Sequence, residues 1–267
     1  MRSLGSAWLV LLAAGIAVVL FWFRPGGVSG PRPEPVPVEG KGFEHSAFTK
    51  VLQAVVGADG RVDYAALRAD PGPLDHYLGQ LRAVGPGNAP HRFKTHDDRL
   101  AYYLNAYNAF MLAAVRDHCP ITDVQSVYPG GGLFWRISFL IGEEEVTLSA
   151  LESELIRGVM QRTPAAHFAL IKAAKGFPPL PREAFESSTL HAQLDALVKN
   201  ALTLPQIAHR EGDVLKLSEL FNWYAADFDP PEKEWLRARV PALVEGDPRV
   251  EYPPFDWSLN GDCGTGG

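Results

Sequence analysis

The chain of 267 residues is 46% hydrophobic and 10% aromatic, so it can bury a sizeable core without help from disulfides or metal ions. Its formal net charge is −6, which gives no reason to expect nucleic acid as a partner. The two cysteines, Cys119 and Cys263, are too few for a disulfide framework or a cysteine-rich zinc or iron–sulfur site. A single bridge between them stays open, although Cys263 lies in a glycine-rich tail that we expect to be loose.

The N-terminus predicts a membrane segment. From Ala7 to Phe23 every residue is apolar or glycine, and Trp8 and Trp22 lie near the two ends. We expect residues 1–24 to be a single-pass anchor that contacts the membrane and holds the domain outside the cytoplasm, in the periplasm or at the cell surface of a bacterial envelope. A signal peptide, cleaved to give a secreted protein, is the alternative, because Arg2 precedes the apolar run.

A proline-rich linker and one domain are expected to follow. Residues 25–40 contain five prolines, which exclude a helix or a central strand and favour either a semi-rigid spacer or a disordered tether. Residues 41–260 contain no break rich in glycine and serine, so we expect a single domain there, with a flexible tail at residues 261–267.

The hydrophobic pattern of that domain predicts more helices than strands. Helices are predicted over residues 43–56, 74–81, 96–119, 149–160, 189–204, 217–228 and 235–244. Thr95 is the expected N-cap of the longest helix. Strands are predicted at residues 135–140 and 145–148, which form a hairpin around Gly142, and at residues 167–171 and 249–252, with a second hairpin over residues 207–216. The predicted fold class is α+β: a helix-rich single domain with a small, mostly antiparallel sheet and an N-terminal transmembrane helix.

Three stretches of the domain carry motifs. Residues 100–109 read LAYYLNAYNA, residues 167–170 read HFAL and lead to PPL at 178–180, and residues 256–260 read DWSLN. In this order they resemble DUF547, a widespread domain of unknown function, whose patterns are A-[YF]-[WY]-x-N-A-Y-N-A, H-F-A-L-N-C-A-S-x-S-C-P-P-L and Y-D-W-S-L-N.

The departures from the family patterns concern the residues with reactive side chains. Lys172 and Phe177 stand where the family has its two cysteines, and Ser153 stands where the family's I-E-H segment has histidine. A cysteine with a histidine beside it is suited to nucleophilic attack, because the thiolate is the reactive form. The resemblance therefore implies a divergent member that is not an active thiol enzyme. Lys172 could replace the thiol only if burial lowered the pKa of its amine by several units.

Four residues are candidates for a site. Asn105 and Asn108 lie three apart on one helical face, where their amides either satisfy buried backbone groups or orient a substrate in a cleft. His167 is either a general base or a structural hydrogen-bonding residue. Lys172 either forms an anion-binding pocket with Lys175 near Gly176 or lies in a solvated loop.

No cofactor or metal is expected, because the eight histidines show no ligand spacing and no phosphate-binding or nucleophile-elbow motif is present. The leading interpretation is a non-catalytic module that binds a small ligand or an envelope protein through the cleft of an enzyme-like scaffold. The alternatives are a hydrolase or transferase that uses the histidine and asparagines of that cleft, and a scaffold component of the envelope.

Overall fold

The structure, a computed structural model, describes residues 27–128, 130–160 and 163–264. Its helices are α1 (Ser46–Val55), α2 (Tyr64–Ala69), α3 (Gly72–Ala83), α4 (His96–His118), α5 (Gly132–Arg136), α6 (Leu148–Ala150), a π-helix (Leu151–Ile156), α7 (Arg157–Val159), α8 (Ala165–Phe168), α9 (Leu190–Ala201), α10 (Glu219–Trp223), α11 (Glu232–Arg237) and α12 (Pro241–Val244). Short 3₁₀ turns lie at Pro90–Arg92, Val124–Ser126 and Ala225–Asp227.

Helix α4 is the centre of the core. Thr95 caps it as predicted: the Thr95 hydroxyl accepts from the Asp98 amide at 3.0 Å, and the Asp98 carboxylate accepts from the Thr95 amide at 2.8 Å. Every residue from Leu100 to Arg116 is buried, so the helix is covered on all sides, as expected for a helix inside a domain. Helices α2 and α3 and the π-helix pack around it.

The strands form three small sheets in the described part of the chain, which corrects the expectation of one mostly antiparallel sheet. The strands are β1 (Val28–Ser29), β2 (Val62–Asp63), β3 (Ile137–Ile141), β4 (Glu144–Thr147), β5 (Ala208–Glu211), β6 (Val214–Leu217), β7 (Arg249–Glu251) and β8 (Gly261–Asp262). Hairpins β3–β4 and β5–β6 are antiparallel, whereas β1 on β3, β2 on β8 and β7 on β6 are parallel. Hairpins are local and readable from sequence, whereas the parallel pairs join segments that are distant in the chain.

The expected transmembrane helix is also corrected. Within residues 27–128, 130–160 and 163–264, no helix has both the length and the apolar character needed to cross a bilayer. The longest, α4, has 23 residues but carries charged residues near both ends. The expected single-pass membrane location, with the domain outside the cytoplasm, is corrected by this finding. The membrane as a partner is not supported either. Residues 1–24, for which the anchor was predicted, lie outside the described residues.

The proline-rich segment lies along the domain from residue 28 to residue 42. Strand β1 extends the β3–β4 hairpin, and the Val36 amide donates to the Gly79 carbonyl at 3.0 Å. A Cβ at Gly79 would come within 2.5 Å of the Glu34 carbonyl oxygen, so this close contact requires glycine. The Arg92 guanidinium donates to the carbonyls of Val38, Gly40 and Gly42. These bonds hold the segment on the domain surface.

Residues 167–171 are not the predicted buried strand. They begin in helix α8 and continue as a turn and loop, and all five residues are buried. A short apolar run is compatible with either a buried strand or a buried helix, and periodicity alone does not separate them.

The two cysteines form a disulfide, the pairing that the sequence left open. Cys119 lies at the end of α4 and Cys263 directly follows β8, with a Cα–Cα distance of 5.5 Å. The parallel pairing of β8 with β2 brings the C-terminal segment back to the core, so Cys263 is buried.

Candidate functional site

An open cleft of about 440 Å³ is formed by five separate segments of the chain. The π-helix supplies Glu152, and the loop after α8 supplies Lys172. The other walls are aromatic, with Phe134 and Trp135 from α5, Trp223 and Tyr224 from the end of α10, and Trp257 from the C-terminal segment. We call this the aromatic cleft.

The floor of the aromatic cleft is an ion pair within a hydrogen-bonded cluster. The Lys172 ammonium pairs with one carboxylate oxygen of Glu152 and donates to the Tyr107 hydroxyl at 2.9 Å. The Tyr224 hydroxyl donates to the other carboxylate oxygen of Glu152. The side chains of Lys172 and Glu152 are only 8% and 14% exposed, so each depends on the other for its charge to be tolerated.

The pKa values of this pair favour two charged groups. Burial is the largest single influence and would lower the pKa of the Lys172 ammonium, but Glu152 and Tyr224 together outweigh burial and raise that pKa above its ordinary value. Burial alone would raise the pKa of Glu152, but Lys172 and the Tyr224 hydroxyl hold it below its ordinary value. Burial raises the pKa of Tyr224, so its hydroxyl remains a donor. Lys172 therefore lacks the depressed pKa that a nucleophilic amine requires.

The backbone on both sides of the pair has an unusual conformation. Glu152 lies in a π-helix, a form that is rare and common at functional sites. Ala173, the residue after Lys172, has a φ of 52°, which is costly for a side chain with a Cβ. Such conformations persist where the surrounding structure imposes them, and they concentrate at functional sites. Here the Ala173 carbonyl accepts from the Asn260 amide at 2.9 Å, which ties the loop to the C-terminal segment.

His167 lies behind the cleft and does not line it. Its ring stacks on Tyr224 with centroids 3.7 Å apart and an interplanar angle of 7°, and its Nε2 lies 2.8 Å from Asp227 Oδ2. The side chain is fully buried, and burial lowers the pKa of His167 to about 4 against the opposing carboxylates. A neutral ring that donates from Nε2 to Asp227 leaves Nδ1 as a bare acceptor, and Nδ1 has no hydrogen-bond partner in the described part of the chain. His167 therefore positions Tyr224.

Asn105 and Asn108 satisfy buried backbone groups. The Asn105 amide donates to the Phe185 carbonyl at 2.8 Å and accepts from the Phe185 amide at 2.9 Å. The Asn108 amide donates to the Ala169 carbonyl at 2.9 Å and accepts from the Ile171 amide at 3.1 Å. Neither lines the cleft, but Asn108 fixes the backbone directly before Lys172.

Of the four predicted site residues, Lys172 lines the cleft, and His167 and Asn108 contact residues next to its floor. Asn105 lies elsewhere, bonded to Phe185. Sequence reasoning missed Glu152, Tyr224 and the aromatic walls as site residues. The motif DWSLN contains Trp257, which was a usable signal, whereas nothing in the sequence marks Trp223.

The aromatic walls brace one another. The rings of Trp223 and Trp257 lie 5.7 Å apart at 26°, and Phe255 packs against both at 4.9 and 4.7 Å. Phe134 meets Trp257 at 6.1 Å. Trp223 is 40% exposed, and no other large hydrophobic residue of the described chain is as open. The cleft therefore has one open aromatic side chain, Trp223, which is supported by the partly buried rings of Phe255 and Trp257.

A larger groove of about 940 Å³ lies between the end of α1, residues 179–185 and α9. Its walls include the exposed polar residues Arg182, Glu183 and Asn200, and it lacks the buried ion pair and the aromatic walls of the smaller cleft. Among the described residues no group of three or more His, Cys, Asp or Glu side chains could hold a metal ion.

Comparison with known proteins finds a match to a family model. No curated protein and no solved structure matches the chain. The matching family model is described as "Protein of unknown function, DUF547", and it covers residues 90–200, which include Asn105, Asn108, Glu152, His167 and Lys172. The resemblance to that family is thus confirmed over this segment of the chain.

Proposed function

We propose that this chain is a ligand-binding module and that its ligand occupies the aromatic cleft. The observation that carries the proposal is the buried pair of Lys172 and Glu152, which lies at the floor of an open cleft with aromatic walls. A buried ion pair costs desolvation energy and is weak evidence for stability alone. Its position at the base of a cleft of ligand size is accounted for if it binds a ligand.

Three features favour binding over catalysis by the candidate residues. Lys172 is paired and its pKa is raised, so its amine is a hydrogen-bond donor and a poor nucleophile. His167 is fully buried behind Tyr224, so it has no surface with which to take a proton from a ligand. The amide of Asn108 is engaged by backbone groups at both ends. A hydrolase or transferase built on these residues is therefore the less favoured alternative.

The location of the exposed aromatic surface favours a ligand site over a scaffold. A scaffold component would need a large apolar patch away from the cleft. Trp223, the most open large hydrophobic residue of the described chain, lines the cleft itself.

The test is ligand-observed saturation-transfer NMR with a mixed set of small polar and aromatic compounds, both charged and uncharged. Trp223→Ala removes one wall at a half-exposed position, so the domain should remain folded. Asn200→Ala, in the larger groove, is the matched control. We expect compounds that bind the wild type and Asn200→Ala but not Trp223→Ala. The proposal is wrong if no compound binds, or if Trp223→Ala binds as well as the wild type.

A further inference from the structure

We infer that the ligand of the aromatic cleft is an uncharged saccharide. Its sugar ring packs against Trp223 and Trp257, and its hydroxyl groups bond to Lys172, Glu152 and Tyr224. This inference rests on the proposed function and adds the chemical class of the ligand.

The charge of the floor selects against charged ligands. The ionisable side chains that line the cleft are Lys172, Glu152 and Tyr224, and they carry one positive charge, one negative charge and a neutral phenol. An anion would gain from Lys172 and lose against Glu152, and a cation would do the reverse. The ammonium of Lys172 already lies over the rings of Tyr107 and Phe134, at 5.1 and 5.4 Å, so these two rings are occupied by a cation of the protein itself.

The same floor suits hydroxyl groups. A hydroxyl both donates and accepts, so one ligand hydroxyl can accept from the ammonium while another donates to the carboxylate. Hydrogen bonds to charged groups are stronger than those between neutral groups. A ligand that brings several hydroxyls on one edge would therefore use the whole floor.

The walls suit a ring with apolar faces. A pyranose has hydroxyls around its edge and C–H groups on its faces, and an indole ring offers a flat apolar surface of matching size. Trp223, Phe255 and Trp257 hold one another in place, so little side-chain entropy is lost when a ligand packs on them. The cleft thus presents an apolar wall next to a polar, neutral floor, as a sugar requires.

The experiment compares compounds with one ring and different charges. Methyl glucoside, cellobiose and chitobiose are the uncharged probes. Glucuronate is the anionic probe, glucosamine at a pH where its amine is protonated is the cationic one, and adenosine tests stacking of a planar base. Dissociation constants are measured by NMR titration of the wild type, with Asn200→Ala as the control.

We expect at least one uncharged saccharide to bind about ten-fold or more tightly than both charged sugars and adenosine, a difference of about 1.4 kcal/mol. Trp257→Ala should weaken that binding about ten-fold or more, and Asn200→Ala should leave it unchanged. Lys172→Met/Glu152→Gln, which keeps the floor neutral, should weaken it while circular dichroism shows a folded domain.

The outcomes separate the two proposals. The saccharide is overturned, and the ligand-binding module is left standing, by either of two results. One is tighter binding of glucuronate, glucosamine or adenosine than of the uncharged saccharides. The other is that no saccharide binds while other compounds bind to the wild type and not to Trp223→Ala. Saccharide binding that both Trp257→Ala and the double variant leave intact also overturns it. If no compound binds at all, both proposals fall.

Discussion

The ion pair at the floor of the cleft makes a quantitative prediction about stability. Lys172→Met keeps a long apolar side chain in place but leaves the Glu152 carboxylate, only 14% exposed, with the Tyr224 hydroxyl as its remaining partner among the described residues. Removing one partner of a buried pair typically costs about 3–5 kcal/mol, because the other charge is left uncompensated. We expect a loss of that size in the free energy of unfolding at neutral pH.

The double variant separates the pair from the packing of the lysine stem. In Lys172→Met/Glu152→Gln the charge that lost its partner is itself removed, so the loss should be smaller than in Lys172→Met, with a coupling of up to about 3 kcal/mol between the two sites. Lys216→Met removes a lysine from a more exposed pair with Glu211 and is the matched control, for which we expect little change.

The pH dependence supplies an independent signature. In the wild type the pKa of Glu152 is lowered on folding, so its contribution to stability is present above its ordinary pKa and is lost as the pH falls through the folded value. In Lys172→Met the attraction of the ammonium is gone and the Tyr224 hydroxyl is left to oppose burial. We expect burial to prevail and to raise the pKa of Glu152, so that protonation favours the folded state. The deficit of the variant should therefore be largest at neutral pH and shrink as the pH is lowered.

The assay is urea unfolding followed by far-ultraviolet circular dichroism at a series of pH values, with the slopes checked for equality between variants. Two results would show that the pair does not stabilise the floor. One is an equal loss of unfolding free energy in the single and the double variant. The other is a loss in Lys172→Met that is no larger than the loss in Lys216→Met.

Three further predictions follow from the same structure. Because the bridge between Cys119 and Cys263 closes a separation of 144 residues, Cys263→Ser should lower the free energy of unfolding by up to about 5 kcal/mol; equal urea midpoints with and without reductant would contradict this. Burial lowers the pKa of His45 to about 3 and that of His167 to about 4, so the unfolded chain binds protons first, and each histidine should lower the free energy of unfolding by up to about 2 kcal/mol as the pH falls from about 8 to about 5. His167→Phe should halve this loss of stability with falling pH. An unchanged loss would refute the lowered pKa of His167. Asn108→Ala should lower the free energy of unfolding by about 1–3 kcal/mol, because it leaves two buried backbone groups without their hydrogen-bond partner. It should also speed amide hydrogen exchange at Ile171. If neither quantity changes, contacts other than those of Asn108 hold the loop.

Elements whose determinants are local were predictable from the sequence. The N-cap of α4 depends on Thr95 and Asp98, three residues apart, and both of their reciprocal hydrogen bonds are present. The β3–β4 hairpin turns at Gly142, which has a φ of 56° that glycine adopts without strain. Each signal lies within a few residues of the feature that it specifies.

The environment of Lys172 was not predictable in the same way, because its partners are distant in the chain. Glu152 lies 20 residues away and Tyr107 lies 65 residues away. Without the position of the carboxylate, burial alone predicts a lowered pKa, and with it the pKa is raised. The direction of the shift, and with it the choice between a nucleophile and a hydrogen-bond donor, thus depends on tertiary structure.

The identity of residue 172 connects the family resemblance with the cleft. The side chain of Lys172 is 8% exposed and precedes Ala173, whose backbone is strained. A charged lysine at such a position needs an anion within reach, and Glu152 on the π-helix meets that need. The same contact satisfies the carboxylate, so a residue that resembles the family's cysteine in position becomes half of a neutral pair. A thiol at this position could supply a nucleophile, whereas the pair supplies donors and acceptors in fixed directions. The change therefore favours a site that holds a polar, uncharged ligand over a site that attacks one.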